Sequence, residues 1–285
     1  MGSCVWQELW TNFADRAAKL AMPGAVPGDA VDIAVLWQLR GYTCHVRRPI
    51  ASQDLHLPEL YSGSPWRSGN PWIAFVTINP SIDPDELFPG VNHFNQYENH
   101  LNELICYFDD RFCPVPSMNP LPYGRSEGRV SIWRRDVGGP TPRYQQTWGQ
   151  IDNVLRECVA GTARDGCDAP LGDIAAIVDA VPWKFARWAC VLPEWKRELL
   201  QLGSPYLAHS LEAHPECPPA AVIACALDRK LLQEGHKLAS TKDGLISING
   251  RSVPFFEVSA PTAYGGAFLR EFRKIASAVR GALGY

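Results

Sequence analysis

The strongest constraint on this chain is a set of four short apolar runs, three of them stopped by a polar, proline-marked turn. The first run, Trp72-Ile-Ala-Phe-Val-Thr-Ile, is rich in β-branched and aromatic residues and leads straight into Asn79-Pro80-Ser81. Unbroken apolarity of this kind reads as a central strand covered on both faces. Such a strand delivers whatever follows it to the carboxyl edge of a sheet, where ligands sit. Pro80 keeps Asn79 out of helical geometry and fixes the chain direction just after an amide that both donates and accepts hydrogen bonds. Taken alone, the turn reads as a strand terminator. What accompanies it decides whether it is more.

A second run spans Asp173 to Lys184 and is again halted by proline, at Pro182; a third is Ala220-Ala-Val-Ile-Ala-Cys-Ala226. Turn signals at Asp243-Gly244 and Asn249-Gly250 introduce the fourth, Val253-Pro-Phe-Phe-Glu-Val258, which ends at Ser259-Ala-Pro261-Thr262-Ala-Tyr264-Gly265-Gly266. Helical spacing is expected near 98–108, 146–159, 193–202, 204–213, 228–237 and 267–282. In the last of these Phe268, Phe272, Ile275 and Val279 face one way, and Arg270, Arg273, Lys274 and Arg280 the other. Strands alternating with helices predict an α/β fold, a small four-stranded parallel sheet with helices on both faces, over residues 71–285. A loop at 109–145 interrupts it. Residues 1–70 predict a helical extension packed on that core, with Val5, Leu9, Trp10, Phe13, Ala17 and Leu20 at helical spacing and a second helix behind an Asp29 cap. Trp6, Trp10 and Trp37 read as packing residues, and 41–71 as a loop.

Composition narrows the function. At 285 residues, 46% hydrophobic, with 10 Trp and 11 Phe, the chain is no disordered tail. No apolar run approaches the roughly 20 residues of a membrane helix, and no secretory signal opens the sequence, so a cytoplasmic, bacterial-type protein without a membrane partner is expected. Nine cysteines, an odd number with no Cys-x-x-Cys pair, read as reduced packed thiols. Neither metal nor cofactor is expected. A net charge of −3 argues against nucleic-acid binding by bulk charge but leaves room for a local basic face. The 109–145 loop holds Arg111, Arg125, Arg129, Arg134, Arg135 and Arg143, and reads either as a phosphate-binding segment or as a solvated loop. No Gly-x-Ser-x-Gly, P-loop or dinucleotide motif supports acyl transfer, NTP hydrolysis or hydride transfer.

In order and spacing, residues 72–282 resemble the uracil-DNA glycosylase superfamily, most closely its mismatch-specific uracil/thymine branch. Thr77-Ile78-Asn79-Pro80-Ser81 resembles the first motif after strand one, and Ala260-Pro261-Thr262-Ala263 before Tyr264-Gly265-Gly266 resembles the loop between the last strand and last helix. The helix feeding Pro219-Ala-Ala-Val-Ile-Ala resembles the family's intervening unit. The chain departs from the pattern at Ala260, where His or Asn is usual, at Ser81 in place of Gly, and in the long loop. The resemblance implies a three-layer α/β/α fold and a monomeric, cofactor-free base-excision-repair enzyme that hydrolyses the glycosidic bond of uracil or related deaminated bases in DNA.

Such an enzyme must extrude the nucleotide, hold the base as it gains negative charge, and place a water beneath C1′. The resemblance assigns water positioning to Asn79, with Ser81 and Asp83 beside it; Asp83, Asp85 and Glu86 are alternative bases or simple turn caps. Ile78 and Pro80 line the pocket, Phe88 or Phe94 stacks on the base or packs in the core, and His93 is a further candidate participant. Asp179 is either the acceptor at the base edge or a satisfied strand-end carboxylate. Tyr264 is the candidate wedge in the minor groove or part of a turn. Ser259, Pro261, Thr262, Gly265 and Gly266 approach the backbone, and Lys184, Arg187, Arg270 and Arg273 supply positive charge. Two other readings stay open: a non-catalytic or weakly catalytic binder of damaged or abasic DNA, suggested by Ala260, and an unrelated doubly wound nucleotide-processing protein.

Overall fold

The computed structural model describes residues 2–39, 55, 57–78, 143–161, 174–184, 188, 191–225, 244–261 and 266–285. Among the described residues five α-helices, α1 (Gly2–Leu20), α2 (Ala30–Leu39), α3 (Arg143–Val159), α4 (Pro193–Glu212) and α5 (Ala267–Ala282), accompany six strands. The strands are β1 (Tyr61–Ser62), β2 (Ile73–Thr77), β3 (Ala175–Asp179), β4 (Ala221–Cys225), β5 (Leu245–Ile248) and β6 (Arg251–Val258), in the sheet order β1-β3-β2-β4-β6-β5.

The four apolar runs form the four inner strands, all parallel. The sheet is nevertheless mixed and six-stranded, not the four-stranded parallel sheet expected, because β1 pairs antiparallel with β3 and β5 antiparallel with β6. Both additions are too short to show periodicity in the sequence. β1 has only two residues and lies within a stretch that reads as loop. β5 forms a hairpin with β6, closed by Asn249 and Gly250 at φ 50° and 74°, the two positive values of a tight two-residue turn.

β2, β3 and β4 are buried along almost their whole length because each face meets its own core, whereas β6 also carries the exposed Arg251, Ser252 and Glu257. Ala74 and Val76 of β2 pack with Trp6, Trp10, Phe13, Val35, Leu199 and Leu207 from α1, α2 and α4. Ile73 and Phe75 point the opposite way, into a core with Ile151 and Leu155 of α3 and Phe268 and Phe272 of α5. The amino-terminal helices are therefore one of the layers enclosing the sheet. Asp29 caps α2 by accepting the Asp32 amide at 2.9 Å, and Arg16 of α1 reaches both carboxylates at 2.7 Å. Burial acts to raise the Asp29 carboxyl, but the bond from Arg16 prevails and holds it below its ordinary value.

Residues 193–212 form one continuous helix instead of the two expected at 193–202 and 204–213. Proline inside a helix removes one backbone bond and costs about 3 kcal/mol. Leu199 and Leu200 before it, and Leu207 and Leu211 after it, are buried in the same core, and four such side chains outweigh that cost at roughly 1.5–3 kcal/mol each. The expected helices at 98–108 and 228–237 and the 109–145 loop lie outside the described residues, except 143–145, which are not loop but the first residues of α3. Cys158, Cys217 and Cys225 carry free thiols, and burial pushes the Cys158 thiol up to about 11.

Candidate functional site

The parallel register puts the carboxyl ends of β3, β2, β4 and β6 on one edge, with Thr77 directly opposite Asp179. The chain runs from β2 outward to β3 and then back across β2 to β4. Such a reversal in an open α/β sheet opens a crevice beyond the strand ends, the usual place for a ligand. β2 and β6 are separated by β4, so their exits lie roughly 10 Å apart.

At the centre of this edge the Thr77 hydroxyl donates to a carboxylate oxygen of the buried Asp179. The two strands stay tied beyond their ladder: the Ala180 amide donates to the Thr77 carbonyl at 2.9 Å and the Val181 amide to the Ile78 carbonyl at 2.7 Å. Ile78, half-buried, is thus fixed immediately before Asn79. α4 presses on the chain just beyond β3 so closely that a β-carbon on Gly203 would stand 2.2 Å from the Ala180 carbonyl oxygen.

On the outer side of β3 runs a buried segment that sequence reasoning passed over. The Glu59 amide donates to the Pro182 carbonyl at 2.9 Å, and the Asp179 amide donates to the Leu60 carbonyl at 3.2 Å. Glu59, fully buried, accepts the Ser62 hydroxyl at 2.7 Å through one oxygen and pairs with the Lys184 ammonium at 2.7 Å through the other. Lys184 is 5% exposed, which corrects its assignment as a phosphate contact: its charge is spent on Glu59 inside the protein. A signal for this pair was present in the sequence, since Glu59 is the lone acid of the apolar stretch Leu57-Pro-Glu-Leu-Tyr61.

The exit of β6 is built differently. The amide of half-buried Ser259 donates to Glu271 of α5 at 2.5 Å, and this bond is the main cause that holds the Glu271 carboxyl below its ordinary value. Pro261 is buried. Gly266 precedes α5 in the left-handed region at φ 68°, and Arg270 is exposed one turn into the helix. Arg273 pairs with Glu157 of α3 at 2.8 Å.

The edge thus brings Ile78 together with Asp179, and places Ser259, Pro261, Gly266 and Arg270 around the exit of β6 on the same side of the sheet. Asn79, Pro80, Ser81, Asp83, Phe88, His93, Phe94, Arg187, Thr262, Tyr264 and Gly265 lie outside the described residues. Among the described residues no cluster of His, Cys, Asp and Glu could hold a metal ion, and no helix is long and apolar enough to cross a membrane. No protein-family model matches the chain, and comparison with curated proteins and with solved structures finds no match.

Proposed function

We propose that this protein is a DNA glycosylase of the uracil type, hydrolysing the bond between deoxyribose and uracil or a related deaminated base. The observation that carries the reading is the Thr77–Asp179 pair at the carboxyl edge, directly before the Asn79-Pro80-Ser81 turn and on the same edge as the Ala260-Pro261 exit of β6. Asp179 accepts from the N–H edge of an extruded base, and Thr77 keeps its carboxylate aligned. Asn79 positions the attacking water. An amide is no strong base, but an oxocarbenium-like transition state in which the base leaves early asks mainly for a placed water and a stabilised leaving group.

Backbone contacts come from the β6 exit and the start of α5, where Arg270 supplies a charge to phosphate. The contribution of Lys184 is withdrawn, so the basic surface rests on Arg270, Arg273, Lys274 and residues outside those described. Binding should weaken as salt rises.

A duplex with one U·G pair and a fluorescent label, incubated with the protein and then treated with alkali, tests the reading. Strand scission at the uracil is the expected result, and Asn79→Ala should slow it by about 100- to 1,000-fold, the usual scale for losing one positioned polar group. An intact duplex would refute the enzyme. Ala260 supports a second reading, a binder of damaged or abasic DNA, which predicts a gel shift without scission.

A further inference from the structure

We infer that the buried Glu59–Lys184 pair is a positioning device for the candidate site, holding the chain beyond β3 so that Asp179 stays aligned with Thr77. The inference rests on the glycosylase reading for its consequence in catalysis. Its structural basis is separate.

Three ties converge on six residues of chain. The Asp179 amide is held by Leu60, the Pro182 carbonyl by the Glu59 amide, and Lys184 by the Glu59 carboxylate. Ser62 fixes the remaining oxygen of that carboxylate, so Glu59 cannot turn without breaking two bonds at once. Removing two charges from water is unfavourable, and well-packed apolar residues commonly stabilise a protein as well or better. A pair kept in so buried a place therefore suits a role in geometry more than one in stability. The geometry at stake is specific: Asp179 is the last residue of β3, and its amide is tied to the segment that Glu59 anchors. Trp183, buried between the tied residues, packs edge-on against Tyr206 of α4 at 5.8 Å and closes the turn from the other side.

Neither Glu59 nor Lys184 needs to touch substrate in this scheme; both act through Asp179. Small displacements of a positioned group reduce turnover far more than they reduce binding, so kcat should carry the effect.

The test compares wild type with Glu59→Gln/Lys184→Met, which removes both charges while keeping side-chain length, by amide hydrogen exchange and by cleavage of the U·G duplex. The expected result is exchange at least tenfold faster at the Asp179 and Glu59 amides, unchanged exchange through β4, and a 10- to 100-fold lower kcat with KM little altered. Wild-type exchange at Asp179 in the folded variant overturns the inference. So does faster exchange with wild-type kcat, a result that leaves the glycosylase reading standing. Absence of cleavage by the wild-type protein removes the glycosylase reading and this role together. If the double variant fails to fold, Ser62→Ala, which frees one oxygen of Glu59, takes its place: several-fold faster exchange at Asp179 supports the inference and unchanged exchange refutes it.

Discussion

The exits of β3 and β6 face the same side of the sheet but are built by opposite means. At β3 the chain from Asp179 through Lys184 is buried, tied to the 59–62 segment by backbone and side chain, and pressed by α4 at Gly203. At β6 the corresponding tie among the described residues is a bond from the half-buried Ser259 amide to the Glu271 carboxylate of α5. The first arrangement fixes a side chain in one orientation and is costly to disturb. The second leaves Ser259 half-buried, within reach of water. On the proposed glycosylase reading, gripping a small base and accommodating a duplex would call for both kinds of exit.

The contrast breaks most severely if the β3 exit loses one charge. Lys184→Met leaves Glu59 charged and buried, and should lower stability by about 3–5 kcal/mol. Chemical denaturation measures this directly, and the Glu59→Gln/Lys184→Met pair should recover much of the loss. Gly203→Ala should follow at about 1–3 kcal/mol, because the new methyl meets the Ala180 carbonyl, and the roughly 1 kcal/mol gained in helix propensity does not cover that overlap. A variant as stable as wild type would show that α4 does not clamp the turn.

At the β6 exit the effects should be small and local. The folded Glu271 carboxyl lies below its ordinary value of 4.5, so the bond to Ser259 is present above that value and is lost as the pH falls through the lower folded value. Titration of the Ser259 amide resonance should therefore show a midpoint below 4.5. Smallest of all, Glu271→Gln should shift only resonances around Ser259 and leave the thermal midpoint within the scatter of replicate melts, since the group is only partly buried. A large loss of stability would erase the distinction between the exits.

The inner strands were legible because burial on both faces removes polar residues from a run whatever the sequence order of the strands, and α5 was legible end to end because Phe268, Phe272 and Val279 bury one stripe. α4 was read as two helices because Gly203 and Pro205 are breakers locally. Their meaning is tertiary: Gly203 is small because Ala180 lies against it, and Pro205 is carried by leucines on both sides. Of the site, Asp179 was singled out from its place at the strand end, and its alignment by Thr77 follows from parallel register. Lys184 was misread because a lysine after a strand looks like surface charge until its partner, 125 positions earlier in the chain, is seen.

By itself, the sequence determined that this chain alternates strands with helices and that several strand ends carry polar, turn-forming residues, since periodicity and proline act over a few residues. Only the tertiary structure decided the strand order, the antiparallel edges β1 and β5, and the burial of Lys184 on Glu59. Those depend on contacts between residues distant along the chain, whose burial energy no local window contains.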